Sequence, residues 1–356
     1  MEKINKLQGF LKNSHEAILI YSPENRRYFT GFPSSDGYLF ITKNEAVLFT
    51  DSRYIEAAEK SASCEARQVT RASIEIKNYI KEKNILKIYT ERERLTVSMA
   101  DFFKTAFLPC RATPSKRLEK KIDEIRMVKT PEEIECIKKA QSIAEAAFEH
   151  ILTFIKPGVT EKQISLELDF YMLSHGAEAL SFETIAVVGK KTSMPHGVPD
   201  DNVVEIGDLV TMDFGAVYKG YHSDMTRTIA VGEASAEQKK VYEIVLQAQL
   251  NALEILGKGV SCKDADSAAR SVIADAGYGE YFGHGTGHGV GIEIHEQPNV
   301  SMRNESPLQE GNVITIEPGI YLPGKFGVRI EDMAVITENG YENLTKTPKE
   351  LIILDV

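Results

Sequence analysis

Two segments of this 356-residue chain repeat the pattern of a buried strand that carries a single acid. They are GDLVTMDFG at 207–215 and GNVITIEPG at 311–319, and the acids at the equivalent places are Asp213 and Glu317. An ionised carboxylate among buried apolar residues is costly unless it has a partner. The repeat therefore predicts a partner for both acids, and we expect that partner to be a metal ion.

A second acid follows each of these strands, Asp224 in YHSDMTRT and Glu331 in GVRIEDMA. Turn residues lie near the midpoint of each interval, Lys219-Gly220 in the first and Pro323-Gly324 in the second. This spacing predicts two hairpins, each placing its two acids opposite each other on one face. Opposed carboxylates repel and raise each other's pKa unless a cation lies between them. Two such hairpins supply four oxygen ligands, enough to begin a two-metal site.

Histidine is concentrated in the same part of the chain, where GHGTGHGVGIEIHEQP occupies 283–298 between the two hairpins. Carboxylates combined with an imidazole, without thiolates, suit divalent manganese, cobalt, iron or zinc. This mixture is unlike the cysteine-rich set of a structural zinc site. Five of the eight histidines lie between 196 and 295: His196, His222, His284, His288 and His295.

Composition excludes several classes of protein. A formal net charge of -10 argues against nucleic-acid binding, which needs a basic surface. No apolar run has the length of a membrane span, and the opening MEKINKLQGF lacks the apolar core of a signal peptide. The four cysteines are far apart and form no C-x-x-C pair. We therefore expect a cytoplasmic protein with neither membrane nor nucleic acid as a partner.

The first third of the chain alternates β-rich runs with helical patterns, which predicts a small α/β domain at 1–120. A charged segment at 115–129 is expected to form a connecting helix, so that the second domain occupies 121–356. The predicted strands are 17–21, 38–42, 46–50 and 87–90, and the predicted helices are 53–60, 73–82 and 97–107.

The second part of the chain contains an internal duplication. Thr130 and Glu133 form a capping box around Pro131, which predicts a long helix over 131–155. Thr160 and Ser261 are predicted to cap equivalent later helices, and His-x-x-Pro also occurs twice, at 196–199 and 295–298. Two copies are too few for a solenoid. They favour two halves related by a pseudo-twofold axis, with the acid-bearing hairpins facing each other across a shared centre.

At these residues the chain resembles the pita-bread metallopeptidases, the group that contains methionine aminopeptidase, aminopeptidase P and prolidase. The resemblance is carried, in order, by HGVP, MDFG, the acid 11 residues later, HGTGH, HEQP, IEPG and VRIED. RRYFTGFPSSDGYLFIT and LFTDSRY are similar to the amino-terminal domain of aminopeptidase P, prolidase and creatinase. The implied fold class is α+β, a small creatinase-like α/β domain followed by a pita-bread catalytic domain.

The resemblance also implies roles for individual residues. Two divalent metal ions are implied, with Mn²⁺ expected and Co²⁺, Zn²⁺ or Fe²⁺ as alternatives, and so is a homodimer. Arg329 would support a ligand or contact a substrate carboxylate, and Asp224 and Glu331 would be shared between the metals. The implied metal ligands are Asp213, Asp224, His288, Glu317 and Glu331, and the implied catalytic residues are His196, His284, His295 and Glu317.

The expected reaction is hydrolysis of an Xaa-Pro bond by a hydroxide held between the two metals. Glu317 would move the proton, and His295 or His196 would stabilise the oxyanion. Whether the substrate is a dipeptide, as for prolidase, or a longer peptide, as for aminopeptidase P, stays open. A creatinase-like hydrolase and a non-enzymatic binding protein are the alternatives, and the complete ligand set argues against both. His222 and Asp332 are predicted to be structural.

Overall fold

The structure is a computed structural model that describes residues 2–356. It contains two compact units, one ending at Arg126 and the other beginning at Met127. Both units combine helices with strands, which confirms the predicted α+β class. The domain boundary expected near residue 120 lies inside a helix, Lys116–Met127, and stays a prediction. Within residues 2–356, no helix has both the length and the apolar composition that crossing a membrane requires.

Helices and strands alternate along the first unit. Each run predicted as a strand forms a strand at or within one residue of the predicted position. Four elements were not predicted, the helices Glu2–Gln8 and Pro23–Thr30 and the strands Glu65–Gln68 and Arg111–Pro114. The elements are α1 (Glu2–Gln8), β1 (Glu16–Ile20), α2 (Pro23–Thr30), β2 (Tyr38–Thr42), β3 (Ala46–Thr50), α3 (Ile55–Ser61), β4 (Glu65–Gln68), α4 (Ala72–Glu82), β5 (Lys87–Thr90), α5 (Val97–Ala106), β6 (Arg111–Pro114) and α6 (Lys116–Met127).

These strands form one sheet in the order β4-β3-β2-β1-β5-β6. Its antiparallel centre is β1, β2 and β3, and parallel neighbours extend it on both sides. Phe40, Tyr79 and Phe103 are buried in the apolar core that packs against this sheet. The alternation of short strands and helices in the sequence thus gives the small α/β fold that it predicts.

Capped helices begin the equivalent parts of the second unit. They are α7 (Pro131–Ile151), α8 (Glu161–Ser174), α9 (Ala236–Glu254) and α10 (Cys262–Asp275). Thr130, Thr160 and Ser235 form capping boxes, and the Ser261 side chain accepts a hydrogen bond from the Asp264 backbone. Each cap stabilises its helix by about 1 kcal/mol. Helix α7 ends at Ile151, four residues before the predicted end.

The strands of the second unit form four sheets, ordered β20-β12-β9-β8, β14-β13-β15-β18-β19, β11-β10-β7 and β16-β17. Their bounds are β7 (Ala179–Leu180), β8 (Ile185–Val188), β9 (Leu209–Phe214), β10 (Ala216–Tyr218), β11 (Tyr221–His222), β12 (Met225–Val231), β13 (Gly287–Gly289), β14 (Glu296–Val300), β15 (Val313–Ile316), β16 (Gly319–Leu322), β17 (Phe326–Arg329), β18 (Asp332–Thr337), β19 (Gly340–Asn343) and β20 (Ile353–Leu354).

The duplication predicted from the sequence is visible in the packing. Helices α7 and α8 share an apolar core with β8, β9 and β12, and α9 and α10 share another with β15, β16 and β17. Each half also contains an equivalent isolated bridge, Thr160 to Val203 in one and Ser261 to Pro307 in the other. The two halves therefore present equivalent strands, β9 and β15, and each strand ends near one of the repeated acids.

The two hairpins differ in register. In the second half the β15–β18 ladder pairs Ile316 with Asp332, so its continuation sets Glu317 directly opposite Glu331, as predicted. In the first half Asp213 pairs with Thr226, two residues beyond Asp224. The prediction of directly opposed acids is therefore wrong for Asp213 and Asp224. They are diagonal neighbours on the same face of the hairpin, because the tight turn at Lys219-Gly220 fixes a different register.

The segment around β20 packs onto both halves of the second unit. Strand β20 adds to the sheet of the first half as a parallel neighbour of β12. The Arg227 guanidinium is 1% exposed and donates to the backbone oxygens of Glu331, Thr347 and Pro348. It also pairs with the Asp332 carboxylate at 2.8 Å. One buried cation thus connects β12, the start of β18 in the other half and the segment before β20.

Candidate active site

One cavity of about 1180 Å³ lies between the two halves of the second unit. The structure brings every predicted site residue to its wall. The roles of these side chains remain predictions, but their convergence from about 135 residues of sequence is a property of the fold. The nine residues are His196, Asp213, Asp224, His284, His288, His295, Glu317, Arg329 and Glu331.

Three of these side chains form a cluster with the dimensions of a metal site. One ligand atom from each of Asp224, His288 and Glu331 lies within 4.8 Å of the other two. The His288 Nε2 atom is 3.5 Å from an oxygen of Asp224 and 3.5 Å from an oxygen of Glu317. Carboxylate oxygens and one imidazole nitrogen therefore point at a common volume, which suits a divalent cation.

The carboxylates of the cavity wall repel one another. Burial and the neighbouring carboxylates of Asp213 and Glu317 raise the pKa of Asp224 well above its usual value. Burial and the carboxylates of Asp224 and Glu317 raise the pKa of Glu331 in the same way. Burial also raises the pKa of Glu317. A cation at the centre would remove this cost, because it favours the ionised form of every acid around it.

Asp213 has one oxygen that is satisfied and one that is not. Its Oδ2 atom lies 2.6 Å from a guanidinium nitrogen of Arg329. Its Oδ1 atom is buried and has no hydrogen-bond partner within residues 2–356. A buried carboxylate oxygen without a partner is costly and calls for an explanation. The donor set and this oxygen both fit bound divalent metal.

Threonines beside the acids hold them in place. The Thr226 hydroxyl donates to Glu331 at 2.7 Å and accepts from Arg329 at 3.0 Å. The Thr315 hydroxyl contacts Glu317 at 3.3 Å and accepts from the His288 backbone at 3.0 Å. Neither threonine was predicted from the sequence. The available signal was strand periodicity, since each lies two residues from an acid and therefore on the same face.

His284 is held in its neutral form by its surroundings. Its Nδ1 atom lies 2.8 Å from the Gly285 oxygen, and its Nε2 atom lies 2.9 Å from the Tyr321 hydroxyl. Burial lowers the pKa of His284 to about 4. The Tyr321 hydroxyl also accepts a hydrogen bond from Arg329 at 3.0 Å. Tyr321 was not predicted, and it connects the histidine to the arginine that pairs with Asp213.

The remaining two histidines stand on the cavity wall. The His295 ring is 4.3 Å from the His288 ring in an edge-to-face arrangement, and burial lowers the pKa of His295. His196 belongs to the segment Pro195–Pro199, which lines the cavity on the side of the first half. Both imidazoles are therefore placed beside the acids without belonging to the compact cluster around Asp224.

The rest of the cavity wall divides into an apolar part and a polar part. Phe182, Ile185 and Val198 provide apolar surface, and none of them was predicted. Arg303 is exposed, lines the cavity and makes no hydrogen bond or ion pair with any residue in the range 2–356. The cavity thus offers a cation that no acid of the described chain neutralises. No pattern in the sequence predicted this arginine, because it lies in an irregular loop.

The two residues predicted to be structural have partners away from the cavity. The Nδ1 atom of His222 lies 2.8 Å from the Ser181 hydroxyl. Asp332 is fully buried between Arg227 and Lys349. Burial raises the pKa of Asp332, but these two cations more than offset this and leave it below the usual value. Neither side chain lines the cavity.

Comparison with known proteins gives a consistent result along the whole chain. Residues 135–338 match metallopeptidase family M24, and residues 3–128 match the creatinase/prolidase N-terminal domain. The chain is 41% identical over 353 residues to an Xaa-Pro dipeptidase of Pyrococcus furiosus, covering 99% of both chains. An Xaa-Pro dipeptidase structure from Bacillus anthracis is similar with a TM-score of 0.95 and 45% identity, covering 99% of both chains. An X-Pro aminopeptidase structure from Thermotoga maritima is similar with a TM-score of 0.90 and 41% identity, over 95% of this chain and 97% of that one.

Proposed function

The chain belongs to metallopeptidase family M24, and on that premise we propose that it hydrolyses the peptide bond preceding proline, with two divalent metal ions at the cavity. The observation that carries the proposal is the convergence of two buried acids, two partly buried acids and His288 on one cavity wall. The names of the similar proteins support the substrate class, since they include Xaa-Pro dipeptidases and an X-Pro aminopeptidase.

The residues that would hold the metals are Asp213, Asp224, His288, Glu317 and Glu331. The partnerless Oδ1 atom of Asp213 and the mutual repulsion of the acids support this ligand set. We propose Mn²⁺ as the native ion, because oxygen-rich sites with one imidazole accept it, and Co²⁺, Zn²⁺ and Fe²⁺ are the alternatives. When bound, such ions lower the pKa of water and polarise a carbonyl oxygen.

The protein's own groups would then perform the proton transfers and bind the developing charge. Glu317 would accept a proton from the attacking water and return it to the proline nitrogen of the leaving group. His295 and His196, which line the same wall, would donate hydrogen bonds to the oxyanion. His284 stays neutral in the neutral pH range, so its ring can donate one hydrogen bond and accept another.

Proline places two demands on the cavity. Its tertiary amide has no N–H donor and its ring fixes the chain direction, so recognition must come from apolar contact. Phe182, Ile185 and Val198 supply that surface. Arg303, without a partner in the described chain, is available for the free carboxylate of an Xaa-Pro dipeptide. These features support a dipeptide as the preferred substrate over a longer peptide.

Paired kinetics on an Xaa-Pro dipeptide and on the matching Xaa-Pro-Yaa tripeptide test the proposal. We expect kcat/KM to favour the dipeptide, and Arg303→Ala to raise KM for the dipeptide by about tenfold, the value of one charge-assisted hydrogen bond. KM for a dipeptide amide, which lacks the carboxylate, should not change. A tripeptide preference that survives Arg303→Ala would contradict the dipeptide proposal.

Two other functions are compatible with a fold of this kind, a creatinase-like hydrolase and a non-enzymatic binding protein. Elemental analysis of the purified protein separates them from the proposal. We expect bound divalent metal and activation by Mn²⁺ or Co²⁺. A protein with no bound metal and no cleavage of either peptide after metal addition would contradict the proposal. We also propose a cytoplasmic homodimer, and sedimentation analysis tests the dimer.

A further inference from the structure

A buried ion pair lies directly behind one wall of the cavity. The Lys129 Nζ atom is 2.8 Å from Glu296 Oε1, and the two side chains are only 1% and 6% exposed. Glu296 begins β14 and immediately follows His295. His295 lines the cavity, whereas Glu296 does not line it, and its carboxylate contacts Lys129 instead.

The surroundings of the pair fix both ends. On the carboxylate side, a Cβ atom on Gly291 would lie 2.1 Å from Glu296 Oε1, so the glutamate fills the space that this glycine leaves. On the lysine side, the Lys129 backbone donates to the Gly311 oxygen at 2.9 Å, two residues before β15. Lys129 thus connects two segments of the site. Its backbone binds the segment that leads into β15, the strand before Glu317, and its side chain binds the first residue of β14.

Stability alone is a weak explanation for such a pair. Burying two charges costs about as much as their attraction returns, and a well-packed apolar pair of the same volume is often as stable. An ion pair does more than stabilise, because it fixes the position of the carboxylate relative to the ammonium group. Here that carboxylate belongs to the residue after His295, so its position sets the backbone from which the imidazole projects.

We propose that Lys129 and Glu296 are positioning residues that hold His295 in its catalytic orientation. The proposal rests on the proposed function, in which His295 donates to the oxyanion. Neither residue lines the cavity, so neither touches the substrate. The pair acts through the imidazole, and a loss of the pair lowers kcat while leaving the metal ligands in place.

A double-mutant cycle with His295 tests this role. Lys129→Met should lower kcat for an Xaa-Pro dipeptide by at least tenfold with KM changed less than threefold, since displacing a reacting group by about 1 Å costs up to about 100-fold. In the His295→Ala background the same substitution should lower kcat less than twofold, because the group it positions is gone. Bound metal, measured by elemental analysis, should equal that of the wild type.

The control is Arg94→Met, which breaks another poorly exposed ion pair, Arg94 to Glu119 at 2.6 Å in the first unit. It should leave kcat unchanged. If Lys129→Met does not fold, Glu296→Gln replaces it in the cycle, since it keeps the shape of the side chain. Equal losses of kcat in both backgrounds, an unchanged kcat or a loss of bound metal would each overturn the positioning role. A wild type inactive on Xaa-Pro peptides would instead overturn the proposed function.

Discussion

Neutralising Asp224, one of the proposed metal ligands, should make the metal-free protein more stable. Asp224 and Glu331 present oxygens within 4.8 Å of each other. Two full charges at that separation repel by about 3 kcal/mol at an effective dielectric constant of about 20. Asp224→Asn removes this repulsion while keeping the size of the side chain. We therefore expect the free energy of unfolding of the chelator-treated variant to exceed that of the wild type by roughly 2 to 3 kcal/mol at pH 8.

The pH dependence gives the sign of the effect independently. The pKa of Asp224 in the folded protein is raised above its unfolded value, by burial and then by Asp213 and Glu317. As pH falls through this raised pKa, the folded wild type takes up a proton that the unfolded chain does not yet bind, and it becomes more stable. The advantage of Asp224→Asn should therefore be largest at pH 8 and shrink toward pH 5.

Urea denaturation of the chelator-treated proteins measures both quantities, because the free energy of unfolding extrapolates linearly to water. Asp332→Asn is the matched control, since Asp332 is also buried but lies between Arg227 and Lys349. Neutralising Asp332 should destabilise the protein by about 3 kcal/mol, because it leaves the buried Arg227 guanidinium without its charged partner. If Asp224→Asn also destabilised the metal-free protein, repulsion between Asp224 and its neighbouring carboxylates would not be a net cost to the folded state.

Two further substitutions test other parts of the site. His284 has a pKa lowered to about 4, so the unfolded chain binds a proton between pH 6.5 and 4 that the folded protein does not. Between pH 7 and pH 5 the free energy of unfolding of the metal-free wild type should therefore fall by about 2 kcal/mol more than that of His284→Gln. Denaturant titration measures both values, and equal losses would contradict a lowered pKa for His284. A Cβ atom on Gly215 would lie 2.0 Å from the Ser223 oxygen, beside both acids of the first hairpin. Gly215→Ala should weaken metal binding by on the order of tenfold, by titration calorimetry, and unchanged affinity would show that the strands tolerate the shift.

The sequence predicted the parts of the site that depend on local pattern. The repeated strands around Asp213 and Glu317 show apolar residues, an acid and a following glycine, and each feature reflects a short-range constraint. The caps at Thr130, Thr160 and Ser261 are likewise local, because a hydroxyl three residues before a backbone N–H is enough to start a helix. These signals located both halves of the duplication.

Features that depend on register or on distant packing were not predictable in this way. Asp213 and Asp224 were expected to oppose each other, but their pairing is decided by the turn and by what both strands pack against. Arg303 lines the cavity, and Tyr321 contacts His284 and Arg329 on its wall, and no spacing in the sequence encodes either placement. Lys129 and Glu296 are 167 residues apart in sequence, and only the folded chain shows that they form a pair.

The position of β20 has a consequence for how the protein is made. Ile353 and Leu354 follow the second half in the sequence, yet they add beside Ala230 and Val231, and Arg227 donates to the carbonyl oxygens of Thr347 and Pro348. A ribosome adds about 5 to 20 residues per second, so the first half waits several seconds for these partners after its own strands have emerged. The acids of the second half likewise follow those of the first by about 100 residues, so the four carboxylates can meet only after Glu331 has been synthesised. Until Glu317 is made, the growing chain contains only the pair Asp213 and Asp224, and the crowding of all four carboxylates arises only when both halves are present.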